Sequence, residues 1–140
     1  SPLPPNETCV INEVEANPPG NDANTGVYEW VELYNSSNQT VEIGGWQLST
    51  TAGNIATIMI PQGTVIGPGQ VHIVERGAQW IDNMGEMIVL RDASGNQVDA
   101  SCTINDEDND DRSWQRDPNG LDTDSPSDWT FKSSSKDDIN

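Results

Sequence analysis

The chain has 140 residues, enough for one domain with a buried core, but only 33% are hydrophobic, so that core must be lean. Its 23 acidic and 6 basic residues give a formal net charge of −17, which disfavours nucleic acid and anionic lipid, because both are held by Lys and Arg displacing counterions. No stretch approaches the ~20 apolar residues that span a bilayer. The acidic surface suits a cationic partner, divalent ions or plain solubility in salt.

In chain order, Ser1-Pro2-Leu3-Pro4-Pro5 opens a linker expected over residues 1–8. The domain proper is expected at 9–132 and a flexible polar tail at 133–140, so the chain reads as one part of a larger protein. Turn residues then separate short runs rich in β-branched side chains. Strands are predicted at 9–15, 28–35, 41–50, 55–60, 70–75, 86–91 and 97–104, with shorter edges at Trp114 and at 129–132. That number and spacing predicts an all-β sandwich or barrel, and five Trp suggest that a few large indoles supply much of the buried area.

Within the second run, Val31 and Leu33 alternate with Glu32, the mark of a strand with one wet face. In the third, apolar parity switches from odd (Val41, Ile43) to even (Trp46, Leu48), with Gly44-Gly45 at the switch. A one-residue bulge at the glycines would keep all four on one face of a single strand; two strands joined by a Gly-Gly turn is the alternative. Further on, Met87-Ile88-Val89-Leu90 and Val98-Asp99-Ala100 flank Asp92-Ala93-Ser94-Gly95-Asn96, which reads as a hairpin.

Six blocks together resemble a known family, the lamin-tail domain. They are Ile11-Asn12-Glu13-Val14, then Glu29-Trp30-Val31-Glu32-Leu33-Tyr34-Asn35, then Val41-Glu42-Ile43-Gly44-Gly45-Trp46-Gln47-Leu48. After these come Gly63-Thr64-Val65-Ile66-Gly67-Pro68-Gly69, then residues 90–95 with Val98-Asp99, and finally Ser113-Trp114-Gln115-Arg116 with Asp128-Trp129. The resemblance implies an immunoglobulin-like β-sandwich of two mainly antiparallel sheets, without a catalytic centre. Domains of this kind occur in nuclear lamins and in many prokaryotic surface or secreted proteins, often appended to hydrolases. It therefore implies a non-catalytic interaction or attachment module, extracellular or at the cell surface, whose partner is a protein or cell-surface component. The family usually runs almost directly from the Val-Asp strand to Ser-Trp-Gln-Arg, so residues 103–111 stand out as an insertion.

That insertion carries the candidate chemistry. Asp106, Asp108 and Asp110 have the one-three-five spacing of a calcium loop, and Asp117 falls at the twelfth position. Against this, Asp111 stands where the sharp-turn glycine belongs and Trp114 falls inside the loop; an exposed acidic loop held open by self-repulsion is the alternative. Calcium binding would make the domain a calcium-dependent adhesion or carbohydrate-binding module. Cys9 and Cys102 each share the parity of inward-facing neighbours and could form a disulfide, the alternative being two buried thiols. Trp80, in a probable loop, could contact a ligand or cap one end of the sandwich. Asn6, Asn35 and Asn38 each begin an Asn-x-Ser/Thr triplet. His72, the one histidine, lies between Val71 and Ile73 with no nucleophile motif nearby, so no hydrolase constellation emerges.

Overall fold

A computed structural model describes residues 9–16, 29–51, 55–76, 81, 84–105, 112–116 and 129–133. The strands are β1 (Cys9–Glu15), β2 (Glu29–Asn35), β3 (Val41–Glu42), β4 (Gln47–Thr50), β5 (Thr57–Met59), β6 (Val65–Ile66) and β7 (Val71–Arg76). They continue with β8 (Met84–Glu86), β9 (Ile88–Arg91), β10 (Gln97–Ala100), β11 (Ile104–Asn105), β12 (Arg112–Arg116) and β13 (Trp129–Ser133). A five-stranded sheet runs β13-β12-β1-β2-β7 and a four-stranded sheet runs β10-β9-β4-β5, with two small ladders, β8–β11 and β3–β6. Every pairing is antiparallel. The linker expected over residues 1–8 lies outside the described residues, as does the tail from 134 on; Ser133 itself closes β13.

The core sits between the two larger sheets. Ile11, Val14, Val31, Leu33 and Val74 face it from one side, and Leu48, Ile88, Leu90 and Val98 from the other. Ile43, Trp46, Ile60, Ile66, Ile81 and Ile104 close its margins. The alternation of Val31 and Leu33 about Glu32 puts the two apolar side chains inward as expected, although Glu32 is itself buried. A bulge does occur, but in β1. Ile11 pairs with Leu33 and Glu13 with Glu32, so Asn12 is the extra residue that lets Ile11 and Val14 share the core face.

The single bulged strand expected at 41–50 is not what forms. Gly44 and Gly45 make a turn between β3, which pairs with β6, and β4, which pairs with β5 and β9. The Trp46 N–H donates to the Ile43 carbonyl at 3.1 Å, and Gly45 takes φ 81°, a conformation that excludes most side chains. A Cβ at Gly44 would lie 3.0 Å from the Gln62 Cα, so the neighbouring backbone packs against that glycine too. The parity switch is real; its cause is that the chain leaves one ladder for another, with Ile43 and Trp46 buried on either side.

The expected hairpin forms between β9 and β10, with Gln97 opposite Arg91. Asp92 Oδ1 accepts from the Ser94 and Asn96 amides at 2.9 and 3.0 Å, locking the loop, and Gly95 supplies φ 88°. These bonds, the one from the Asn96 amide foremost, hold the Asp92 carboxyl below its usual range.

Candidate functional site

Two features stand out: a buried polar tie between the sheets, and an open side of the sandwich. The tie begins with Arg116, 1% exposed, and Asp99, 6% exposed. Arg116 Nη2 donates to Asp99 Oδ2 at 2.8 Å, and Arg116 Nε donates to the Ile11 carbonyl at 2.7 Å. Asp99 Oδ2 also accepts the Ile11 N–H at 2.8 Å. A charged pair therefore occupies both backbone groups of Ile11, the residue beside the β1 bulge. The guanidinium also lies 4.5 Å from the Trp129 ring centroid, so an aromatic face takes up part of its charge.

On the other face of the five-stranded sheet lies a buried polar layer. Glu13 and Glu32 are direct cross-strand partners and fully buried. Ser113 Oγ donates to Glu13 Oε2 at 2.7 Å, and Asn12 Nδ2 donates to Glu32 Oε2 at 3.1 Å. Gln115 Nε2 in turn donates to Ser113 Oγ at 3.1 Å. Such a layer is held by geometry and hydrogen bonding, because a buried carboxylate left without donors is costly.

Among the described residues, β5 and β7 are the outermost strands at one side of the two sheets and do not pair with each other, which makes this the open side. Between them is a groove of about 370 Å³. Ile58, Met59, Ile60 and Thr64 form one wall; His72, Ile73, Val74 and Glu75 form the other. Among the described residues the large hydrophobic side chains that stand exposed are Ile55, Met59 and Val65, of which Met59 lines this groove. His72 lies in β7 as expected, and partial burial lowers its pKa below the ordinary imidazole value of 6.5.

The family model of the Lamin Tail Domain matches residues 3–106, most of the chain. The chain belongs to the lamin-tail-domain family. No curated protein matches it. The matched segment ends before β12 and β13, yet in this lamin-tail sandwich β12 lies inside the larger sheet, between β13 and β1, and supplies Arg116 to the tie. No helix among the described residues is long and apolar enough to cross a membrane, which says nothing of a strand-built barrel.

Of the residues singled out in the sequence, Asp106, Asp108, Asp110, Asp117 and Trp80 lie outside the described residues. Between these candidates, residues 112–116 form the strand β12. Among the described residues no group of three or more His, Cys, Asp or Glu could hold a metal ion.

Cys9 and Cys102 are free thiols, not the bridge that parity allowed. Burial pushes both up to about 12; Asp99 adds to the rise at Cys9, whereas Arg116 opposes it at Cys102. The alternative of two small hydrophobes in or against the core describes them. Asn35 is buried, and its Nδ2 donates to the Gln39 and Ile66 carbonyls at 2.7 and 2.8 Å, so the triplet it begins serves the turn and not a glycan. Asn38 is exposed. Sequence reasoning missed the Asp99–Arg116 tie although both residues stood in quoted blocks. The available signal was an Arg two residues after Trp114 in a cation-poor chain.

Proposed function

We infer that this lamin-tail domain is a non-catalytic interaction module that attaches a larger extracytoplasmic protein to a protein or cell-surface partner. The observation that carries the reading is the groove between β5 and β7, walled by Ile58, Ile60, Ile73 and Val74 with the exposed Met59 among its lining residues. The interior is stabilised independently of that face by the Arg116 tie, so contact at the groove need not disturb the fold. An extracytoplasmic setting is supported by the resemblance to prokaryotic surface forms and by an acidic surface suited to salt. Exposed Asn38 leaves room for a glycan there.

The test pairs two measurements on the purified chain. With chromogenic phosphodiester, ester and glycoside substrates, turnover should equal that of a protein-free blank. Fluorescently labelled domain should be retained on washed intact cells more strongly than an unrelated protein of matched charge. Turnover above the blank, or equal retention, would defeat the reading.

A second reading, calcium-dependent adhesion, rests on the one-three-five spacing of Asp106, Asp108 and Asp110 in the sequence between β11 and β12. Calorimetric titration with millimolar Ca²⁺ at moderate salt decides it; no heat and no rise in melting temperature would dispose of it.

A further inference from the structure

β5 and β7 do more than line a groove, because both are sheet edges. Asn35 N–H donates to the Gln70 carbonyl at 3.1 Å, which sets the phase of the β2–β7 ladder. With antiparallel alternation, His72 and Val74 then bond to β2, while Val71 and Ile73 turn their backbone N–H and C=O toward the open side. On the other wall, Thr50 N–H to Ala56 O and Ile60 N–H to Trp46 O, at 3.0 and 2.7 Å, set the phase of β4–β5. There Thr57 and Met59 turn outward. Among the described residues neither edge has a partner on that side; such edges template an added strand unless blocked by charge, proline or a bulge, and β7 has no proline and no bulge, with Glu75 its exposed charge.

We propose that the open side binds an extended basic peptide as an extra strand on β7. This rests on the interaction-module reading and names its partner. Of the two edges β7 is the longer, six residues against three. A strand added there alternates its side chains. One set falls beside His72 and Val74, over Ile58 and Ile60, and must be apolar; the other falls beside Val71 and Ile73 on the outer face, where a chain of net charge −17 favours cations. Met59, unbranched and exposed, is also among the residues that line the groove. A second copy of the chain is disfavoured as occupant, because each carries −17.

The probe is a capped seven-residue peptide alternating lysine and valine, titrated into ¹⁵N-labelled domain. Saturable shifts and slowed amide exchange should concentrate at Val71 and Ile73. Two control peptides, one with glutamate for lysine and one N-methylated at alternate amides, should each bind at least tenfold more weakly. Ile73→Pro, which removes an N–H that β2 does not use, should weaken the lysine-valine peptide at least tenfold. Should that variant unfold, exposed Met59→Ser should weaken the peptide several-fold with the melting temperature kept. Shifts centred elsewhere, equal binding of the N-methylated peptide, or a dimer that already protects the β7 amides would overturn the proposal. Cell retention unaltered by either substitution would likewise overturn it while leaving the interaction-module reading intact; enzymatic turnover would remove that reading whatever the peptide does.

Discussion

Arg116 holds three partners at once: the Asp99 carboxylate, the Ile11 carbonyl and the Trp129 ring. Replacing it by alanine leaves Asp99 buried with no cation, a situation that typically costs about 3–5 kcal/mol. Guanidinium denaturation should show that loss for Arg116→Ala. Arg116→Lys should recover only part of it, because an ammonium cannot reproduce the forked geometry; full recovery would mean that charge alone matters. His72 gives a second test. Burial lowers its folded pKa below 6.5, so between 6.5 and that lower value the unfolded chain binds the proton and the folded chain does not. The stability this histidine contributes is therefore present above pH 6.5 and is lost as pH falls toward the folded value. Denaturation midpoints from pH 7.5 down to 5.5 should consequently drop less in His72→Gln than in the parent, and parallel drops would clear His72 of any role. The strand position of His72 was legible from Val71 and Ile73 beside it. The partnership of Arg116 was not, because Ile11 lies 105 positions away in sequence and no local pattern reports such a contact.

At the level of strands, hydrophobic alternation located β1, β2, β7, β9 and β10 well, since each lays one apolar row on a common core. It failed where the chain changes ladders. The 41–50 run breaks into β3 and β4, the 86–91 run is divided at Met87, and 97–104 ends β10 at Ala100 before β11 begins. Periodicity reports which side chains are buried, and Ile43 and Trp46 are buried alike whether a bulge or a turn separates them. The pairings distinguish the two, β3 with β6 and β4 with β5 and β9, and Gly45 supplies the positive φ at the turn between them. Gly45→Ala should cost about 1–2 kcal/mol for the left-handed backbone alone. Its new Cβ also meets Gln62 Nε2 at 2.9 Å, a flexible tip that can move aside. Thermal melts of Gly45→Ala and Gly63→Ala separate these contributions, since a Cβ at Gly63 meets nothing within 4 Å although its φ is also positive. Equal losses would show that the backbone conformation dominates.

Over the molecule as a whole, the family match ends at 106 while the larger sheet continues through β12 and β13. A chain cut after residue 106 would lose Arg116, expose the edge of β1 and leave Asp99 buried without its cation. Such a fragment should give a poorly dispersed amide spectrum, whereas residues 9–133 should fold cooperatively; a well-folded fragment would make β12 and β13 accessory. The sandwich class was legible because six blocks occur in family order. The open side was not, since which strands become edges is decided by pairings between distant segments and leaves no mark on composition.

The placement of β1 and β13 has a mechanical consequence. Both run antiparallel to β12, which separates them, with Gln115 opposite Glu13 on one side and Thr130 on the other. Cys9 opens β1 at one end of this sheet, while Ser133, opposite Arg112, closes β13 at the other. Tension between these two points runs along the strands, so the ladders must slide with their hydrogen bonds loaded in parallel instead of unzipping one by one. Arg116, gripping Ile11 from the adjacent strand, sits across that sliding plane as a bolt.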